Sequence, residues 1–200
     1  VAVAMAGLTH GINALLDLPG ATFLRRARHY ELGPLTLEDA HTALAETARD
    51  GGRPFDDAQR AAEFSKGYPY LVQLVGFLSW EAADELGSDR LDAHAVSAAI
   101  PRTLERLGVQ VHQPALRDVP ARQMDYLQAM AAIEEETGGT EIASSALAER
   151  LGRPATSLSD IRARLIARDL ITPAGWGLIE FAQPYLGQYL RDRGRPQRIS

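Results

Sequence analysis

Cysteine is absent from this 200-residue chain, so a disulfide framework, a thiolate metal site and a thiol nucleophile are all excluded. Lysine occurs once, at Lys66, directly before Gly67. A phosphate-cradling loop of the form G-x-x-x-x-G-K-[ST] needs Lys after Gly, so this chain contains none. No strand ending in paired acids is visible for Mg²⁺ either. No apolar run approaches the roughly 18–20 residues that cross a bilayer, so no membrane partner is expected. The opening VAVAMAG is too short for a signal-peptide core and lacks a basic leader. The five histidines, His10, His29, His41, His94 and His112, show no metal-ligand spacing, and no nucleophile elbow is present. No metal site is expected, and a cytoplasmic location is.

What is present is ordinary for a folded chain. Hydrophobic residues make up 46% and charged residues 24%, enough for one to three small domains with a real core. The net charge of −5 is unevenly spread. Residues 150–200 carry nine Arg against four acids, about +5, which leaves about −10 for the remainder. A basic end on an acidic protein points to nucleic acid, or to a solvated arginine face with a frayed tail.

Val1–Ala6 is a continuous apolar run closed by Gly7, the pattern of a parallel strand buried on both faces. A short helix over Gly11–Asp17 follows. Then comes ATFLRRARHYELGPL, with Arg25, Arg26 and Arg28 clustered and Tyr30–Leu32 as a short edge strand. Four helices are expected next. The first is capped by Thr36, with Asp39 three residues on, and ends at Gly51-Gly52. The second starts at Asp56 or Asp57 and stops at Gly67. The third begins at Pro69 and buries Leu71, Leu74, Val75 and Leu78. The fourth is capped by Asp92, and Pro101 should kink or break it. Residues 109–119 read as a linker.

From Pro120 a new pattern begins. Met124, Leu127, Met130 and Ile133 recur at helical spacing, and Gly138-Gly139 ends that helix. Thr140-Glu141 opens the next helix, Gly152-Arg153-Pro154 turns the chain, and Thr156 or Ser157 caps a third helix with Leu158, Ile161 and Leu165 inward. Two strands flank a Pro173–Gly177 turn. Helix, helix, turn, helix and hairpin make a winged helix. In that layout the third helix enters a DNA major groove and the hairpin touches backbone or minor groove. The candidate contacts are Arg153, Thr156, Ser157, Ser159, Arg162, Arg164 and the wing-tip Trp176, types that suit phosphates and base edges. Winged helices also dock proteins, and both partners stay open. RDRGRPQRIS reads as a disordered tail.

These segments together resemble the C-terminal half of an AAA+/STAND-type P-loop ATPase, of the archaeal-type and origin-initiator-like group. The resemblance implies a mainly α chain: the remnant of an α/β P-loop ATPase core at 1–35, a four-helix lid at 36–108, a linker at 109–119, a winged helix at 120–190 and a tail at 191–200. VAVAMAGLTH resembles the core strand whose end carries a polar sensor, with Thr9 the best match; Thr9 also suits a plain helix cap. FLRRARHYELGPL resembles the segment bearing an arginine finger, with Arg26 the first choice and Arg28 beside it; a surface arginine cluster explains the same residues. GYPYLVQLVG resembles the lid turn beside adenine, with Gly67, Tyr68 and Pro69 as the nucleotide-contacting set; a simple helix start with Pro in its first turn is the alternative. The usual lid arginine is absent there, which favours the STAND-like side.

The resemblance implies ATP or ADP with Mg only in a protein that supplies the missing N-terminal ATPase half. It also implies a homo-oligomer and a coupling of nucleotide state to double-stranded DNA. Alone, this chain is expected to be inactive as an ATP hydrolase. The alternatives are a standalone winged-helix regulator and a protein-interaction scaffold without ATPase activity.

Overall fold

A computed structural model describes residues 15, 16, 18, 26–28 and 33–194. The expected first strand, the edge strand at 30–32, Thr9, Arg25 and residues 195–200 lie outside the described residues. The rest is mainly helical, with one small sheet. It divides into a helical unit, residues 33–119 with 184–194, and a mixed unit, residues 120–183.

The helical unit starts with α1, Leu37–Asp50. The Thr36 hydroxyl accepts the Asp39 backbone N–H at 3.0 Å and donates to the Asp39 carboxylate at 2.7 Å, so this helix start is closed reciprocally. Ala40, Leu44 and Ala48 recur every fourth residue and are buried. Thr36→Ala is expected to lower stability by about 1 kcal/mol in urea unfolding, while Thr36→Ser keeps most of it. Next is α2, Ala58–Ser65, whose buried face is Ala58, Ala61, Ala62 and Ser65. These small side chains let its neighbours approach closely. Asp57 stands at the start of α2 but makes no capping bond. Asp56 instead forms a bidentate pair with Arg90, at 2.7 and 2.8 Å.

α3, Pro69–Glu85, begins with Pro in its first turn and buries Leu71, Val72, Leu74, Val75 and Leu78. α4, Ala93–Leu107, is capped by the Asp92 carboxylate, which accepts from the His94 and Ala95 amides at 2.9 and 3.0 Å. Pro101 does not break α4; the helix runs through it. The ring is exposed, while Ala99, Thr103 and Leu107 on the opposite side are fully buried, so packing offsets the lost donor.

Residues 109–119, expected as a linker, are largely helical. The chain leaves α4 as a π-helical turn, Gly108–His112, and continues as α5, Gln113–Leu116. His112 and Leu116 are buried on one side, and this burial supplies what the local sequence lacks.

The mixed unit opens with α6, Ala121–Thr137, which ends at Gly138 with φ 68°. Tyr126, Leu127, Met130 and Ala131 of α6 are buried, as are Ile142, Leu147, Leu165, Leu170, Ile171 and Ile179 further along this unit. Thr140-Glu141 do not open a helix. A short strand β1, Ile142–Ala143, intervenes before α7, Ser144–Arg150, because Ile142 pairs with Ile179 and is buried there. Neither Thr156 nor Ser157 caps the next helix. Ala155–Leu158 form a 3₁₀ turn, and the Ser157 hydroxyl donates back to the Pro154 carbonyl at 2.8 Å. α8 is Ser159–Ala167. β2, Ile171–Gly175, and β3, Leu178–Phe181, pair antiparallel, with a bulge between Pro173 and Gly175. β1 pairs antiparallel with β3, so the sheet order is β1-β3-β2.

After the hairpin the chain returns to the helical unit as α9, Leu186–Gly194. Residues 191–194, expected in a disordered tail, are its last turn. Leu186 and Leu190 are buried four residues apart, and the Tyr189 ring lies against Gly108, where an added Cβ would stand 2.8 Å from Cε2.

Candidate functional site

Two places carry candidate chemistry, one in each unit. In the mixed unit it is the turn before α8, α8 itself and the β2–β3 tip. Residues 150–168 hold five Arg against one acid, Asp160. Their partners differ. Arg150 is paired with Glu136, and Arg164 with Asp160 at 2.9 Å one turn back on the same helix. Arg153, Arg162 and Arg168 have no ion-pair partner among the described residues. Arg153 and Arg168 are exposed and Arg162 is half-buried. Arg162 lies close enough to Tyr126 for its charge to oppose the effect of burial, which pushes the Tyr126 hydroxyl up to about 12.

Thr156, Ser157 and Ser159 are all exposed around the start of α8. Ser157 spends its hydrogen on Pro154 and keeps its oxygen as an acceptor. At the hairpin tip Trp176 is fully exposed, 101% of its reference area, between Gly175 and Gly177. Gly177 sits at φ 73°, a conformation that other residues adopt at a cost, so the glycine lets the tip turn sharply. An indole held entirely in water at a turn stabilises nothing in the fold.

The charge of this unit differs from the simple reading of a basic end. Residues 121–181 contain six Arg and nine Asp or Glu, a net −3. Arg191 and Arg193, counted with the basic end, lie on α9 in the helical unit. What remains is a local stripe of +4 on an acidic body.

The second place is the Gly67-Tyr68-Pro69 turn between α2 and α3. Gly67 is buried at φ 71°, and a Cβ there would fall on the Leu35 carbonyl oxygen, with Leu35 N and C each at 3.1 Å. The Leu35 N–H donates to the Gly67 carbonyl at 2.8 Å. The Gly67 N–H reaches the Ser65 hydroxyl at 3.2 Å, and the Tyr68 N–H the Ser65 carbonyl at 2.9 Å. Tyr68 is half-buried, edge-on to Tyr70 with ring centres 6.5 Å apart. The Lys66 ammonium lies over the Tyr185 ring at 4.4 Å, and the Tyr185 hydroxyl donates to the Phe64 carbonyl at 2.6 Å. No sequence signal marked Tyr185.

The third set is Thr9, Arg26 and Arg28. Thr9 lies outside the described residues, and Arg26 and Arg28 are exposed. Among the described residues no group of three His, Asp or Glu is placed to hold a metal, and no helix is long and apolar enough to cross a membrane.

Sequence reasoning also missed His112. It is buried, its Nε2 pairs with the Pro184 carbonyl at 3.0 Å, and its Nδ1 is buried with no partner among the described residues. Burial pushes this imidazole down to about 4, against the opposing pull of the Pro184 bond.

A family model described as a domain of unknown function (DUF8462) matches residues 109–190. None of the curated proteins matches the chain. Among solved structures, the chain is similar to the RuvB Holliday junction branch migration motor of Thermotoga maritima, at 20% identity and a TM-score of 0.40, covering 87% of this chain and 55% of that one. A variant RuvB from the same organism gives 19% identity and a TM-score of 0.40 over the same shares. The chain thus spans about half the length, 55%, of the RuvB chains it matches.

Proposed function

We propose that residues 121–181 are a winged helix that contacts double-stranded DNA through α8 and the β2–β3 wing, and that residues 37–107 are the lid of a nucleotide-responsive AAA+/STAND-like ATPase. The observation that carries the DNA part is the arrangement of the mixed unit. Helix, strand, helix, helix and hairpin, with sheet order β1-β3-β2, present Arg162 on α8 with Arg153 before it and Arg168 at its end, none with an ion-pair partner among the described residues, and leave Trp176 in water at the wing tip. Arg164 contributes less than its position suggests, because Asp160 already holds it.

Three arginines set the size of the effect. If each neutralises one phosphate, log K falls against log salt with a slope of about −3. Fluorescence anisotropy of residues 1–200 with a labelled duplex, between low and physiological salt, reads that slope. Arg153→Ala, Arg162→Ala and Arg168→Ala should each reduce it by about 1. Binding that ignores salt, or that survives all three changes, would overturn the DNA reading. The excess of acids in this unit favours a protein partner as the second reading, and that reading predicts no duplex binding at all.

The lid part rests on the sequence resemblance, supported by the closed Gly67 turn with a half-exposed tyrosine at the start of α3. The described residues fit a nucleotide only in part. Tyr68 offers a ring to a base, but no set of donors faces a phosphate, and Lys66 is engaged on Tyr185. ATP or ADP with Mg, Thr9 and Arg26 or Arg28 at a hydrolysis site, the preceding ATPase half and a homo-oligomer belong to the same proposal for a complete protein. Isothermal titration of residues 1–200 with Mg-ATP is expected to show no binding, and tight binding would contradict this division of labour.

A further inference from the structure

Among the described residues, three non-glycine residues have left-handed backbone: Lys66 at φ 50°, Asp169 at φ 53° and Tyr185 at φ 62°. Such residues persist only where their surroundings hold them, and they concentrate at switches and clamps. Two of the three touch each other. Lys66 is the left-handed end of α2, and its ammonium lies over the ring of Tyr185, the left-handed start of α9. The same ring stacks on Phe64, centres 5.1 Å apart and 25° between planes, and its hydroxyl donates to the Phe64 carbonyl. One residue further on, Gly67 is closed on Leu35. Tyr185 also accepts the Tyr189 N–H at 2.9 Å through its carbonyl, which starts α9.

We infer that Tyr185 is a latch that makes the docking of α9 and the closure of the Phe64–Tyr68 turn one equilibrium, so that neither opens without the other. The ring fills the space beside Phe64, the hydroxyl satisfies the Phe64 carbonyl, and the ammonium above the ring holds Lys66 in its left-handed state. The downstream end of the latch has one covalent neighbour of consequence. The chain reaches Tyr185 four residues after Phe181, the end of the wing hairpin. A signal that opens the Gly67 turn would therefore undock α9, the segment that directly follows the wing hairpin in the chain. That use of the latch rests on the lid reading proposed above; the latch itself does not.

Amide hydrogen exchange on the 200-residue chain, without nucleotide or DNA, tests it. The reporters are Leu35, Gly67 and Tyr68 for the turn and Tyr189 for α9, whose N–H groups are all hydrogen-bonded. Tyr185→Phe keeps the ring and removes the hydroxyl. It should accelerate exchange at both sets of reporters together, by about tenfold. Lys66→Gly, which tolerates the left-handed backbone without the ammonium, should accelerate Tyr189 by a similar factor. Acceleration confined to α9, with Leu35, Gly67 and Tyr68 unchanged in Tyr185→Phe, would overturn the latch. So would no change in either variant. Because the readout needs no ligand, failure of the latch leaves the lid reading standing, and failure of nucleotide binding leaves the latch standing.

Discussion

Replacing Gly67 with alanine should cost the helical unit about 3 kcal/mol, the sum of two independent penalties. A non-glycine residue held at φ 71° costs roughly 1–2 kcal/mol. Forcing a methyl into occupied space costs roughly a further 1–3 kcal/mol. The occupied space here is the Leu35 backbone, which cannot swing aside like the end of a flexible side chain. It is also hydrogen-bonded to Gly67 itself, so moving it breaks the Leu35-to-Gly67 bond. Gly52 separates the two penalties. It sits at φ 86° with nothing within 4 Å of an added Cβ, so Gly52→Ala should cost only about 1 kcal/mol. Urea unfolding of the two variants measures the difference. Equal losses would mean that the close approach of Leu35 contributes nothing. The same geometry bears on function, since the turn proposed to respond to nucleotide is closed by its own chain.

The second large effect is a loss of stability in mild acid that belongs to His112. Its imidazole is held at about 4 in the folded chain against an ordinary 6.5. The unfolded chain therefore binds more protons between those values, and stability falls as pH drops through that window. The loss vanishes above about pH 7.5, where both states are neutral. At pH 5 the loss is about 2 kcal/mol, approaching about 3 kcal/mol below pH 4. The carboxylates with lowered values, Asp56 and Asp92 through their hydrogen bonds and Glu136 through Arg150, act in a different range. Their ordinary values are 3.8 and 4.5, so what they contribute is lost only below those. The interval from pH 7 to pH 5 thus separates His112 from these carboxylates. His112→Gln can still donate to Pro184 but cannot take a charge, and its unfolding free energy should be flat across that interval. A wild-type curve equally flat would show that the ring is not buried as described.

The parts of this fold legible in the sequence are those fixed by local chemistry. Thr36 with Asp39, Asp92 before an alanine-rich run, Pro69 in a first turn and Gly138 after an apolar stripe each impose an end on a helix through a bond or a dihedral that neighbours supply. The parts that were not legible depend on distant partners. Gly67 reads as a turn glycine, but nothing in GYPYL tells that Leu35 presses on it. His112 sits among Val109, Val111 and Pro114, where propensity suggests a linker, and becomes a core position only because Pro184 and Tyr189 come back to it. Arg191 and Arg193 look like a tail by composition, yet Leu186 and Leu190 are enough to dock one more helix. Pro101 should break a helix by its own chemistry and does not, because the buried side of α4 outweighs it. In the candidate interface the sequence marks Arg153, Arg162 and Arg164 alike. Only the structure separates Arg164, paired with Asp160, from the two that have no acid partner among the described residues.

If the wing and α8 touch DNA, Trp176 reports on it directly. The chain has two tryptophans, and Trp80 is half-buried beneath Arg53 in the helical unit. Trp80→Phe leaves Trp176 as the only indole. Its emission and its quenching by acrylamide are then followed while duplex DNA is added at low salt. The expected result is the emission spectrum of fully exposed indole before addition, then a saturable change with reduced quenching that reverses as salt is raised. An unchanged spectrum and unchanged quenching, under conditions where binding would saturate, would contradict it.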